Sequence, residues 1–298
     1  MALQDADLTS VQEKLKARHL QVVEELGTGT FATVYRVVDC KNREFALKIL
    51  FSSPDNAPTL RTRARMSVEE QFDTERQAHR VVSGHPNIVT LHDSFVVNGL
   101  YCLLLDLYSD GTLLEHASST LRFWRSDAEI KRVFTQLIDA VGYCHSLGVA
   151  HRDLKPENIF VSADHTFAIG DFGLATSFSR GIASEAGSRP YKAPESFPGV
   201  SKDKYDTRAA DVWALGIILI NIICGFMPWN AAVEEESAFS LFCKDPYHLQ
   251  TFLPLSSAAI PLFSRVLDPD PMERISLDGL RKEVQFFIAL LAHFLSLM

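Results

Sequence analysis

The sequence predicts a bilobal α+β fold: a five-stranded antiparallel sheet carrying one helix, then a mainly helical lobe. Three observations lead there. Between residues 19 and 107, apolar residues recur in short, alternating, β-branched runs separated by turn residues, which is the patterning of strands. From Asp127 the apolar period becomes helical. Directly after that helix comes His151-Arg152-Asp153-Leu154-Lys155-Pro156-Glu157-Asn158, which cannot be regular structure. An Asp, a Lys two positions on and an Asn five positions on share no face of a helix or strand, and Pro156 opposes a helix. A loop therefore presents three polar side chains to one point.

At 298 residues the chain is long enough for a sizeable core. Hydrophobic residues make up 47% and charged residues 22%, and mean hydropathy is +0.03, which reads as a mixed globular protein. A formal net charge of −8 and a pI of about 5.7 disfavour nucleic acid or an anionic membrane as the main partner, because both reward clustered Lys and Arg. The run Arg61-Thr62-Arg63-Ala64-Arg65 is locally basic and reads as a solvated loop. Cysteines 40, 102, 144, 224 and 243 are scattered, four of the five in apolar surroundings, which suits buried thiols with neither disulfide nor zinc. Met1 to Leu20 lacks the apolar core of a signal peptide, and the expected location is intracellular, cytoplasmic or nuclear.

Taken in order, Ser10-Val11-Gln12-Glu13 has the spacing of a capping box, predicting a short helix to about Arg18. Residues 1–18 read as an N-terminal extension. Strands are expected over Leu20–Leu26, Thr33–Val38 and Glu44–Leu50, the first two joined by Gly27-Thr28-Gly29-Thr30-Phe31-Ala32. That GxGxxA string alone is a weak signal. The residues after it are alternating and β-branched, so the turn joins two antiparallel strands and does not open a dinucleotide-binding helix. Residues 51–65, with Pro54 and Pro58, form a loop, and Val68–Val82 is helical in pattern. Val89–Phe95 and Leu100–Leu107 complete the five strands, and Ser109-Asp110-Gly111 links to the second lobe. There Ile130, Val133, Phe134, Leu137, Ile138, Val141 and Cys144 form one apolar stripe ending at Gly148. Short strands around Phe160-Val161 and Phe167-Ala168-Ile169 lead to Gly170-Asp171-Phe172-Gly173. Val284–Met298 is apolar but shorter than the roughly 18 residues a membrane span needs, and reads as a closing helix or an exposed tail.

The order GxGxxA, Ala46-Leu47-Lys48, a helix Glu, the octet at 151–158, Asp171-Phe172-Gly173, Ala193-Pro194-Glu195, Asp211-Val212-Trp213-Ala214-Leu215-Gly216 and Arg274 resembles the eukaryotic protein kinase superfamily over residues 19–283. Lys155 in the octet is similar to Ser/Thr kinases. Asp245–Ser256 and Arg274-Ile275-Ser276-Leu277 look like fungal kinases of the nutrient- and meiosis-control group. The resemblance implies an N-lobe over 19–108, a C-lobe over 109–283, ATP and Mg²⁺ as cofactors, protein substrates, and an upstream kinase as a further partner. It leaves the oligomeric state open.

By the same resemblance, Leu26, Gly27, Gly29, Val34, Ala46, Lys48, Asp106, Tyr108 and Phe160 hold ATP, with Phe31 shielding the phosphates and Leu105 as gatekeeper. Glu75 is expected to pair with Lys48, leaving Glu69 and Glu70 to solvent. Asn158 and Asp171 supply metal oxygens, Asp153 takes the substrate's proton, and Lys155 offsets charge on the moving phosphoryl group. His151, Phe172, Leu91 and His79 are expected to stack between the lobes, and a histidine at 79 makes that column acid-sensitive. Arg152 implies control by a phosphate, with Ser184 as the best placed acceptor and Glu185 beside it offering part of the charge. Ser188 is expected to bridge Asp153 and Lys155, Glu195 to pair with Arg274, and Asp211 to anchor the catalytic loop. Glu157 and Asp110 point to a mild preference for basic substrates, and Lys192 is similar to the residue that proline-directed kinases carry as Arg. The alternative is a pseudokinase serving as scaffold or binding module, which the presence of Lys48, Asp153, Asn158 and Asp171 opposes.

Overall fold

The computed structural model describes residues 5–29, 32–51, 66–119, 127–200 and 204–285. Phe31, the Arg61–Arg65 run and the apolar tail beyond residue 285 lie outside the described residues. The N-lobe is one antiparallel sheet in the order β1-β2-β3-β5-β4, made of β1 (Leu20–Thr28), β2 (Ala32–Asp39), β3 (Glu44–Leu50), β4 (Leu91–Val97) and β5 (Leu100–Asp106). In β2 and β3 the β-branched and apolar residues alternate between buried and partly buried positions, as a pleated sheet with one covered face requires. Between β3 and β4 lies α2 (Val68–Val82). Its start is fixed chemically: the Ser67 hydroxyl accepts from the Glu70 N–H while the Glu70 carboxylate accepts from the Ser67 N–H.

The N-terminal helix departs from expectation. Helix α1 runs Asp5–Lys16, so Ser10 is mid-helix and not a cap, and its hydroxyl accepts from Asn98 Nδ2 at 2.9 Å. Val11 and Leu15 are wholly buried among Leu20, Val37, Ile49 and Cys102. Arg18 fastens the turn after the helix, bonding Asp93 at 2.7 Å and lying 4.3 Å over the Phe95 ring. The helix is thus built into the apolar core of the N-lobe.

The C-lobe contains α3 (Leu113–Ser119), α4 (Asp127–Ser146), strands β6 (Ile159–Val161) and β7 (Phe167–Ile169), the two-residue pair β8 (Arg180–Gly181) and β9 (Tyr205–Asp206), then α5 (Thr207–Cys224), α6 (Ser237–Lys244), α7 (Ile260–Val266) and a helical stretch over 277–285. The predicted stripe on α4 is buried along its length. Helix α5 is long and apolar enough to cross a membrane, yet 72% of it is buried inside the lobe, where a core helix belongs. Asp206 caps it, accepting from the Arg208 and Ala209 N–H groups, and Gly225 at φ 72° ends it. Gly216 lets α5 approach α7: a Cβ there would sit 2.3 Å from Val266. Three cysteines (Cys102, Cys144 and Cys224) are buried, while Cys40 and Cys243 are exposed, one fewer inside than the apolar surroundings suggested.

Because α1 buries its apolar face in the N-lobe core, Leu15→Ala should cost about 3 kcal/mol of unfolding free energy. Urea denaturation measures it, and a loss below about 0.5 kcal/mol would mean that α1 is merely appended.

Candidate active site

The sheet register brings the first elements of the site together. Gly27 lies opposite Val34 across β1–β2, and Val34 lies opposite Lys48 across β2–β3, so the glycine turn, a small apolar side chain and the lysine share one end of the sheet. Ala46, Leu105, Tyr108 and Phe160 belong to one apolar cluster beneath, with Leu26 exposed on β1. Gly29 closes the turn, its N–H bonding the Ala32 carbonyl at 2.8 Å. The Asp106 side chain is spent on the Thr90 N–H and on His92, so what Asp106 offers the cleft is backbone.

Lys48 donates to both Glu75 oxygens, at 2.7 and 2.8 Å, and to Asp171 Oδ1 at 2.9 Å. Glu75 is 1% exposed, so helix α2 is held to β3 through a carboxylate that water barely reaches. Glu69 and Glu70 face solvent. On the far side, Asp211 accepts from the His151 and Arg152 N–H groups, both at 2.8 Å, and pairs with His145 at 2.9 Å. Burial alone would raise the Asp211 carboxyl; the bond from His145 and the neighbouring charges outweigh that and lower it. This anchor holds Arg152 at φ 68°, a left-handed conformation costly for a side chain with a Cβ.

Asp153 points back into the loop it serves. Its Oδ1 accepts from the Ser188 N–H at 2.9 Å, its Oδ2 lies 3.3 Å from Lys155 Nζ, and Lys155 also donates to the Ser188 hydroxyl at 2.9 Å. Asn158 Nδ2 is spent on the Asp153 carbonyl at 2.9 Å, which leaves its amide oxygen as the atom available to a cation. With the Asp171 carboxylate, that makes a pair of hard oxygen donors from two segments, a set that suits Mg²⁺. Chemically the cleft combines a cation held between carboxylates, a carboxylate with a neighbouring ammonium, and oxygen donors for a divalent ion, the parts phosphoryl transfer needs.

A model of the protein kinase domain matches residues 20–286. This chain belongs to the protein kinase family. The kinase is similar to a Schizosaccharomyces pombe protein named negative regulator of sexual conjugation and meiosis, with 33% identity covering 88% of this chain and 58% of that one. It is also similar to CBL-interacting protein kinase 24 of rice, at 31% identity over 92% of this chain and 57% of the relative, and to CBL-interacting serine/threonine-protein kinase 26 of Arabidopsis thaliana, at 33% over 86% and 56%. The chain spans somewhat more than half the length of these relatives. The Arabidopsis relative is named as a serine/threonine-protein kinase.

The contacts made by Glu185, Arg152 and Lys192 are not ones the sequence-based reading anticipated. Glu185 pairs with Arg189 at 3.1 Å and not with Arg152. Arg152 instead donates to the Tyr205 hydroxyl at 3.0 Å, a contact 53 residues away that no local pattern announces. Lys192 is buried and turned inward to main-chain carbonyls. Glu195 and Arg274 form a buried two-bond pair at 2.7 and 2.9 Å.

Three of the four residues expected in the inter-lobe column stack in sequence: the His79 and Phe172 ring centroids are 4.7 Å apart, as are those of Phe172 and His151, while Leu91 packs against a separate apolar cluster with Leu103 and Leu105. His79 is wholly buried, and neither ring nitrogen has a hydrogen-bond partner. Its pKa falls from 6.5 to about 3, first through burial and then through repulsion by Lys48 and His151, against attraction by Asp171. Glu75 is 4.0 Å away. A depressed histidine pKa means that the unstacked state binds more protons below pH 6.5. The column is therefore fully stable above that pH and loses stability as pH falls toward 3, by about 1 kcal/mol between pH 6.5 and 5.5. His79→Leu should flatten this dependence. Thermal melting of both proteins between pH 5 and 7 checks it, and parallel curves would refute it.

Proposed function

We propose that this chain transfers the γ-phosphoryl group of ATP to Ser or Thr hydroxyls of protein substrates. The observation that carries the reading is Lys48 bonded at once to Glu75 and Asp171, because that contact sets the nucleotide-side cation, the helix and the metal-side carboxylate in register. In the reaction the substrate oxygen forms a bond to the γ-phosphorus while the bond from that phosphorus to the bridging oxygen of ADP breaks, and Asp153 accepts the hydroxyl proton. Asp153 is oriented for this by the Ser188 N–H, and Lys155 neutralises charge on the moving group. Lys48 holds the α- and β-phosphates, Gly27 and Gly29 offer backbone N–H groups, and the apolar cluster of Ala46, Leu105 and Phe160 faces the adenine. Mg²⁺, held by Asp171 and Asn158, would screen the phosphate charges.

Ser184 is the acceptor through which an upstream kinase would act on the segment, and Arg152, which lines the same pocket, is the cation assigned to meet its phosphate. Exposed Glu157 and Asp110 support a mild preference for basic residues near the target hydroxyl. An intracellular site of action, cytoplasmic or nuclear, goes with this reading.

The direct test is phosphate incorporation into a generic protein substrate. Asp153→Asn should lower kcat by about 10²- to 10⁴-fold with the ATP KM little changed, since general-base assistance is worth that much. Equal incorporation by variant and wild type would overturn the reading. For the regulatory part, Ser184→Ala should reduce activity about tenfold, the scale of one ordering contact. Full activity of that variant, with Ser184 unmodified by mass spectrometry, would remove Ser184 from the account.

A further inference from the structure

Outside the reaction centre, the feature that demands an explanation is the ammonium of Lys192. The residue is 7% exposed, and its Nζ donates to the carbonyls of Ser184 and Ala186, both at 2.7 Å, and of Ser196 at 3.4 Å. It also sits 4.9 Å over the Phe197 ring. Among the described residues its partners are thus carbonyls and a ring, with no carboxylate bonded to it. The charges facing it are mixed: Arg152 and Arg189 repel it, while Glu185 and Asp153 attract it.

Such a cation costs stability. Burial, then Arg152, lowers its pKa from 10.5 to about 8, so the buried state disfavours the charged form. Below pH 8 the folded protein carries a charge whose burial works against folding, and the penalty fades as pH rises from 8 through 10.5. An apolar side chain of similar volume would avoid it. The geometry shows what the charge accomplishes. Ala186, held by Lys192, is two residues before Ser188, which is held by Asp153 and Lys155. Between them stands Gly187 at φ 93°, where a Cβ would lie 3.2 Å from the Arg152 carbonyl and 3.7 Å from Asp153 Oδ1. A glycine hinge this close to the reacting carboxylate has wide conformational freedom unless both its neighbours are pinned.

We propose that Lys192 is a positioning residue for phosphoryl transfer: it clamps the activation segment at Ser184 and Ala186 to the turn at Ser196, and so keeps Ser188 seated on Asp153 and Lys155. The inference rests on the kinase reading above and adds to it a constraint that is present before any phosphate is. Ammonium-to-carbonyl bonds suit the task because a charge-assisted bond is about twice as strong as a neutral one. One Nζ also offers three donors to carbonyls from two separate segments.

The test compares wild type with Lys192→Met and Lys192→Arg. Lys192→Met should lower kcat at least tenfold while the ATP KM stays within twofold and the melting temperature does not fall, because the lost bonds are offset by the removed charge. Lys192→Arg, which keeps the cation and its donors, should retain at least half of kcat. Hydrogen–deuterium exchange of the amides at 184–188 should speed up at least tenfold in Lys192→Met, a readout that needs no catalysis. Wild-type kcat and unchanged exchange in Lys192→Met would overturn the clamp. So would failure of that variant to fold, which would make Lys192 a structural prop, and so would equal inactivity of the Met and Arg variants. If wild type itself shows no Asp153-dependent activity, the kinase reading fails while amide exchange still decides the clamp.

Discussion

The kinase depends first on one cation between two carboxylates. Lys48 belongs to the sheet, Glu75 to α2 and Asp171 to the segment after β7, so a single ammonium joins three elements that share no regular hydrogen-bond ladder. At an effective dielectric of 20 the attraction of one such pair is on the order of 4 kcal/mol, much of it offset by desolvation. Its value lies in geometry more than in stability. Placing α2 by Glu75 also places His79 one turn further along, and His79 carries the contact onward to Phe172, His151 and the Asp211 anchor. Cleft and inter-lobe column are therefore set by the same helix position.

That coupling explains why an unusual residue is tolerated in the column. A histidine with two unbonded ring nitrogens is a poor substitute for an aliphatic side chain, because each buried polar atom without a partner carries a desolvation cost. Burial first, and then the neighbouring Lys48, keeps it neutral, and a neutral imidazole still packs edge-on against Phe172. The same ion that orders the nucleotide side thus adds to burial in holding the column histidine uncharged.

Much of this is legible in the sequence, for identifiable reasons. Strands β2 and β3 and helix α2 declare themselves through their apolar period, which is a local signal. The reaction-centre residues declare themselves by type and order, and the structure brings Lys48, Glu75 and Asp171 together across 123 residues of chain. Helix α1 misleads because the Ser10 spacing mimics a cap, whereas its true role comes from Val11 and Leu15 meeting a sheet formed by residues later in the chain. The Arg152–Tyr205 bond, the Glu185–Arg189 pair and the inward turn of Lys192 have no local signature, since each depends on how an irregular segment folds back on itself.

Those contacts share a cause. Backbone groups in regular elements satisfy one another, but residues 151–158 and 182–200 contain at most single 3₁₀ turns, so buried N–H and C=O groups there need partners from side chains. Charged side chains supply them: Asp211 takes two N–H groups of the catalytic loop, Asp153 takes that of Ser188, and Lys192 gives to three carbonyls. A neutral amide could fill some of these places at lower desolvation cost. It could not hold a strained backbone as firmly, and Arg152 and Asp171, both at positive φ, are strained. Buried charge in this lobe is therefore best understood as the means of fixing irregular backbone where the reacting groups must be placed to within fractions of an ångström.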